Sequence, residues 1–561
     1  MFPKQKLVAH AFRPGLRSAS LATAFLANIA SAQWTYEGCG PVTDAAFRYE
    51  TLIQRGGPVD AELEEPLKMA FDMDAQGNVD IFYVERTGNA KLYRGATRTA
   101  SIIGHFTVGG ATGVSEEGLL GVALDPHFKQ NRRVYYFFMP PRPNSAYRLS
   151  RFIMGGTALD MKSEKIMLEF PHDIGGCCHN GGGMAFDDYG DLWLSVGGNG
   201  SNQGGPIDEN NISYSEEDGS ANTADYRGGV LRIHPDDSPR GYSIPAGNFG
   251  DYFAAKAQAA GNTAYAAQFR DTALVKPEIY IKGSRNPFTM TVDPARRWVM
   301  TGDVGPDNGA QMEEHNLYKA PAFSGWPYFA GKNLAYQGKK DAITPRNDSK
   351  WNTGIRNLPP AAPALRSYGT ATAITGPIYR YDGDSRSTVK LPPHFQRRWF
   401  IADFEQNWIH AVTLDEAGGR ILKDEPIFKN HTWTNPIDLQ QGPDGALYVI
   451  NYAGYFSATG QTSIVRIAYE GDCRPSLPKL EHGAETGIVM ASAQRAPGRA
   501  CRVFLGPDRS FGLPPGTRGF VLFDLGGNRV WGGSAQAGAP DRAMAPPDLA
   551  PGVYQLVPSA P

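Results

Sequence analysis

His179 ends the run Cys177-Cys178-His179 and is followed by Asn180-Gly-Gly-Gly. An imidazole on a glycine-rich loop can meet a ligand, and it exchanges protons near neutral pH. The two cysteines before it have two readings. They form either a bridge through a strained eight-membered ring that stiffens the loop, or two small buried thiols. A mononuclear zinc centre is disfavoured, because no second Cys pair or His pair stands at ligand spacing.

The elements that must position this histidine are legible around it. Met184 to Phe186 and Leu192 to Val196 are short apolar runs flanking Asp-Asp-Tyr-Gly-Asp, the pattern of a β-hairpin. The same phrase returns along the chain. Leu67-Lys-Met-Ala-Phe-Asp leads to Val79 to Val84, and Gly118-Leu-Leu-Gly-Val-Ala-Leu-Asp-Pro leads to Val134 to Phe138. Asn286-Pro-Phe-Thr-Met-Thr-Val-Asp-Pro runs into Trp298 to Met300, Ala373-Ile-Thr-Gly-Pro-Ile-Tyr into Trp399-Phe-Ile-Ala-Asp, and Ile437-Asp-Leu into Gly442-Pro-Asp-Gly-Ala-Leu-Tyr-Val-Ile. About 440 residues over six units is roughly 70 per unit, enough for four strands with inserted loops. With 65 glycines, 42 prolines and no helical pattern alternating with the strands, a doubly wound α/β sheet is excluded. The predicted fold is all-β: a six-bladed β-propeller spanning residues 33–474, with a small C-terminal β-sandwich-like appendage at 475–561.

Composition sets the class. A chain of 561 residues with 41% hydrophobic and 20% charged residues is an ordinary globular protein. The formal charge of −2 offers nothing to nucleic acid. Lys4, Lys6, Arg13 and Arg17 precede an apolar run from Ala19 to Ala30 and the small-residue site Ala30-Ser31-Ala32. This reads as a signal peptide over 1–32, cleaved before Gln33, and no transmembrane segment is expected. A secreted chain, whether periplasmic, extracellular or attached at the cell surface, can oxidise its cysteines. Cys39 precedes the first blade and Cys473 follows the last strand, so a bridge between them would clasp the ring, contributing about 4 kcal/mol in the chain-entropy model. Cys501 is left over. Beyond Pro475, Phe520-Val-Leu-Phe-Asp-Leu-Gly-Gly-Asn-Arg-Val-Trp and Leu549-Ala-Pro-Gly-Val-Tyr-Gln-Leu-Val resemble C-terminal sorting modules of type IX secretion. A purely structural β-appendage fits the same residues.

Seven blocks occur in the order seen in the glucose/sorbosone dehydrogenase family of soluble quinoproteins, which the chain resembles. They are Gly118-Leu-Leu-Gly-Val-Ala-Leu-Asp-Pro-His-Phe, His179-Asn-Gly-Gly, Gly229-Val-Leu-Arg-Ile, Tyr242-Ser-Ile-Pro-Ala-Gly-Asn, Gly283-Ser-Arg-Asn-Pro-Phe, Gly302-Asp-Val-Gly-Pro and Ser324-Gly-Trp-Pro. The resemblance implies a propeller with pyrroloquinoline quinone (PQQ) over its channel, oxidising a small-molecule sugar. It makes His179 the general base on the hydroxyl of C1 while C1 delivers hydride to the quinone. Arg285 and Asn286 match the pair that approaches quinone and substrate, the arginine answering the charge that builds on reduction. Gly305 and Pro306 match positions whose backbone carbonyls hold Ca2+, a cation that prefers oxygen ligands. With no Cys-x-x-Cys-His for heme attachment, electrons must leave to a separate acceptor. Departures stand beside these matches. Where the family's glucose dehydrogenase holds the quinone's carboxylates with a lysine and two arginines, the nearest alignment offers Glu405, Asn435 and Ile437. Val304 replaces a glutamine, and Glu116 or Glu117, depending on register, replaces another. Two further readings follow: a cofactor-free propeller binding a carbohydrate or protein, like the hedgehog-interacting proteins, and a metal-dependent lactonase-like hydrolase.

Overall fold

The computed structural model describes Cys39 and residues 42–474, apart from 111–114, 142–145, 173–177, 201–215, 307–310, 337–344 and 370, together with the backbone of six strands beyond residue 500. The signal segment 1–32 and Cys177 lie outside the described residues.

Local chemistry explains the returning phrase. In four of the hairpins an aspartate at or just after the phrase turns its carboxylate onto the backbone two to four residues ahead. Asp74 Oδ1 accepts from the amides of Gln76 and Asn78, and Asp187 Oδ1 from those of Tyr189 and Asp191. Asp125 and Asp444 make the same local contact to His127 and Ala446. The side chain thus mimics a backbone turn and fixes the hairpin.

Six antiparallel blades result. Their innermost strands are Pro66–Met73, Leu119–Leu124, Gly181–Phe186, Thr289–Asp293, Ala373–Ile378 and Pro436–Gln441. Each packs beside the next, and the sixth returns to the first, closing a ring around a central channel. Aromatic pairs fill the clefts between blades, such as Tyr135 on Phe186 at 5.3 Å and Phe71 on Tyr448 at 4.7 Å between centroids. The sixth blade borrows its outer strand from the N-terminal side of the first blade: Phe47–Gln54 pairs antiparallel with Ser463–Tyr469. The Cys39–Cys473 disulfide, with Cα atoms 5.3 Å apart, seals the same seam, as expected.

The repeated β pattern predicts no helix within the third blade, yet the fold has two there. Two helices, Phe249–Ala259 and Thr263–Arg270, are inserted in the third blade before its outer strand Ile279–Lys282. Asn262 caps the second by accepting from the Tyr265 amide, and Phe249, Phe253 and Phe269 pack the two helices against each other. At the C-terminus, strands within 501–558 form a four-stranded and a two-stranded sheet, in keeping with a small β-sandwich-like appendage. Among the described residues no helix is long and apolar enough to cross a membrane.

All six inner strands start at the same end of the channel, so the loops that precede them converge there. That end carries His179, Arg285, Asn286 and Glu116. The seam between first and last strands is where the ring would open. Replacing both Cys39 and Cys473 with alanine frees a 434-residue separation in the unfolded chain and should cost about 2–4 kcal/mol. The double variant should melt several degrees lower in calorimetry, and reductant should lower the native protein at least as far, since it also opens the disulfide of Cys178. An unchanged melting point would show that strand pairing alone holds the seam.

Candidate active site

His179 is buried on the loop entering the third blade, with a left-handed backbone at φ 67°. Its Nδ1 lies 3.0 Å from Glu216 Oε1. A carboxylate can only accept here, so Nδ1 carries the hydrogen and Nε2 keeps its lone pair, ready to take a proton. Glu216 is itself held, its other oxygen accepting from the Ser220 hydroxyl at 2.6 Å. Two glycines of the Gly197-Gly-Asn-Gly200 stretch are required by this packing. A Cβ on Gly197 would sit 2.0 Å from the His179 carbonyl oxygen, and one on Gly200 would sit 2.1 Å from Glu216 Oε1 and 2.8 Å from His179 Nδ1.

The loop that bears Glu216 is anchored from beneath. Lys282, wholly buried, donates through Nζ to the carbonyls of Gly219 and Asp225 at 2.8 Å each and to that of Arg227. Burial pushes its amine down to about 7, with Asp225 opposing the shift. Arg227 is in turn paired with Asp225, Nη2 to Oδ2 at 2.8 Å.

Glu116 joins three blades. Its Oε2 accepts from the amides of His179 at 2.9 Å and Asn180 at 3.3 Å, and from Asn286 Nδ2 at 3.1 Å. Of the two adjacent glutamates it is Glu116 that faces His179 and Asn286. Glu117 turns inward instead, 3.5 Å from His172 Nε2. His172 is kept neutral, pushed down to about 3 by burial, and Nε2 lies 3.1 Å from Asn180 Oδ1.

Arg285 and Asn286 sit on the loop entering the fourth blade, and both backbone amides point at one carboxylate. Asp303 Oδ1 accepts from Asn286 N at 2.7 Å and Oδ2 from Arg285 N at 3.2 Å. The Arg285 guanidinium donates to the Val304 carbonyl at 3.0 Å and lies 5.7 Å from the Trp326 ring. Across the strand pair Asp303 faces Glu314. Both are buried and pushed up by loss of solvent, and Asp303 adds to the shift of Glu314.

Gly305 and Pro306 line a narrow pocket with Arg285, Asp303, Glu314 and Trp326. The Gly305 amide donates to Glu313 Oε1 at 3.0 Å. Among the described residues no cluster of three His, Cys, Asp or Glu could hold a metal, so a cation here would need backbone carbonyls. Trp326 Nε1 is buried in this neighbourhood without a protein acceptor. Acceptor-rich, planar ligands satisfy such donors, so the residues present fit the quinone that the resemblance implies. The positions aligned with the family's cationic clamp carry no cation. Glu405 is exposed, Asn435 donates to the Phe404 carbonyl at 3.0 Å, and Ile437 is buried. Val304 packs against the core in place of a glutamine. Cys178 is buried and disulfide-bonded, with its partner outside the described residues.

The structure therefore brings His179, Arg285, Asn286, Gly305 and Pro306 to one end of the channel. Glu216, Asp303 and Lys282 were not singled out for these places by the sequence. Glu216 lies 37 residues from its histidine in a Ser-Glu-Glu-Asp-Gly loop without motif character.

Comparison with known proteins agrees with this architecture. The family model described as Glucose / Sorbosone dehydrogenase matches residues 63–250 and 252–454. A protein of Synechocystis sp. described as uncharacterised, slr1608, is 24% identical over 401 residues, spanning 70% of this chain and 82% of its own. HIPL1 of Arabidopsis thaliana is 24% identical over 335 residues, 57% of this chain but 42% of its own length. Among solved structures, the soluble aldose sugar dehydrogenase of Escherichia coli in its apo-form superposes with a TM-score of 0.52 at 19% identity, covering 75% of this chain and 99% of that one. A solved glucose dehydrogenase gives 0.52 at 20% with the same coverage. With both halves of the ring matched, the chain belongs to the glucose/sorbosone dehydrogenase family.

Proposed function

We propose that the protein is an exported quinoprotein that oxidises a sugar or related alcohol at the loop-bearing end of its channel, using PQQ and Ca2+. The observation that carries this reading is the buried His179–Glu216 pair at 3.0 Å beside Arg285 and Asn286. Bound there, the quinone supplies the two-electron oxidant that receives hydride from the substrate carbon. The chain's residues supply the rest. Nε2 of His179 accepts the hydroxyl proton as the hydride leaves, and Glu216 steadies the imidazolium that forms. Arg285 stands where negative charge grows on reduction, its backbone clamped by Asp303 and its guanidinium by Val304. The carbonyls of Gly305 and Pro306 are the oxygen donors for Ca2+. Electrons then pass to a separate acceptor.

The protein is reconstituted with PQQ and calcium chloride and assayed with a redox dye over a panel of aldoses. His179→Ala should remain folded and bind cofactor, while kcat falls about 10²–10⁴-fold. Glu216→Gln should lower kcat less, with KM little changed. An unchanged kcat in His179→Ala sinks the assignment of the base.

The propeller alone carries this chemistry on the same reading, with its boundary at residue 474 and the C-terminal strands acting in sorting or surface attachment. A chain ending after Pro475, which keeps the Cys473 clasp, should fold cooperatively and retain full turnover while losing any surface retention. Exposure of the core to limited proteolysis in that truncation would instead make the tail part of the ring.

A further inference from the structure

A trianionic quinone needs cationic partners, and the aligned clamp positions provide none. Most buried cations at the loop-bearing end are spent. Arg86 is paired through two nitrogens with Glu65, Arg227 with Asp225, and Lys282 is enclosed by three carbonyls.

Lys68 differs. It is the third residue of the first blade's inner strand, so it lies in the uppermost layer of the channel wall. Its Nζ is 3.7 Å from the centroid of Phe288, which stands two residues after Asn286 at the entry of the fourth blade. In a six-membered ring the fourth blade is opposite the first, so this side chain reaches across the channel mouth. It is 4% exposed. Among the described residues its one hydrogen bond is long, 3.4 Å, to the carbonyl of the neighbouring Leu67. Among the described residues no carboxylate lies within 4.0 Å of it. The two that act on it from further away are engaged elsewhere: Asp438 by the Met69 amide at 3.0 Å and by Gln440, Glu116 by His179, Asn180 and Asn286. Burial pushes the amine down to about 8, and these two carboxylates oppose the shift. A desolvated ammonium with unfilled N–H donors is costly unless an anion completes its shell. The aromatic face of Phe288 offsets only part of that cost.

We propose that Lys68 is a binding residue for the anionic cofactor, its ammonium at the channel mouth taking the charge-compensating part for which positions 405, 435 and 437 carry no cation. This rests on the quinoprotein reading above. The ligand class is a planar polycarboxylate, and Lys68 and Arg285 are the two cations that meet it.

The test compares binding of PQQ and of its uncharged trimethyl ester, each with calcium chloride, by quenching of tryptophan fluorescence. Wild type, Lys68→Met and Lys68→Arg are used, with folding checked by circular dichroism. The expected result is at least a tenfold weaker Kd for PQQ in Lys68→Met, partial recovery in Lys68→Arg, and an ester affinity that the substitutions leave alone. Equal PQQ affinity in wild type and Lys68→Met overturns the proposal, as does a loss equal for PQQ and ester, which would mark a packing effect. If Lys68→Met does not fold, the wild type decides: PQQ must bind at least tenfold tighter than its ester, and parity overturns the proposal. A folded wild type that binds no PQQ overturns the quinoprotein reading itself, and this inference with it.

Discussion

The carboxylate of Glu116 is the knot on which the site depends. It arrives on the loop entering the second blade and binds the amides of His179 and Asn180 from the third and the side chain of Asn286 from the fourth. One acceptor with two oxygens thus fixes three blades relative to one another at the point where chemistry would occur. Charge-assisted bonds of this kind are shorter and stronger than neutral ones. A glutamine could accept too, but it would bring two N–H donors to a spot already crowded with them. The departure from glutamine is therefore compatible with a more tightly braced entrance rather than a lost function.

The same device recurs around the ring. Asp303 collects the amides of Arg285 and Asn286, Glu313 those of Gly305 and Ala373, and Asp438 that of Met69. Each carboxylate sits at the loop-bearing end and stitches a backbone that must not move. Burial makes their ionisation expensive, which is why Asp303, Glu313 and Asp438 are all pushed up. These acids bring no positive charge to an anion bound at this end. Lys68 and Arg285 are the cations in position to supply it.

Much of this was legible in the sequence, for reasons that are local. The hairpins announce themselves because an aspartate two to four residues before a turn amide is a short-range contact, repeated in blade after blade. Cys39 and Cys473 could be paired because a ring has one seam and they flank it. His179 stood out through its glycine neighbours, which the structure explains by close packing on adjoining strands: a Cβ on Gly181 would sit 2.7 Å from the Ser195 carbonyl oxygen and one on Gly182 2.8 Å from Leu120. Glu216 did not stand out, because the contact that matters spans 37 residues and a loop without periodicity. Lys68 lay inside the first blade's phrase, yet only closure of the ring puts it opposite Phe288. The helical insertion at Phe249–Ala259 was passed over because the β phrase resumes on either side of it, although its alanine-rich run is a fair helix signal.

The account stands on electrons leaving a sugar at the His179 end of the channel. The most direct measurement is an anaerobic absorption titration of the protein loaded with PQQ and calcium, adding aldoses one at a time with no dye present. The account predicts stoichiometric loss of the oxidised quinone's absorption with at least one aldose, fast in the wild type and slowed by orders of magnitude in His179→Ala. A loaded protein whose quinone spectrum no aldose changes, or one reduced equally fast without the histidine, would contradict it.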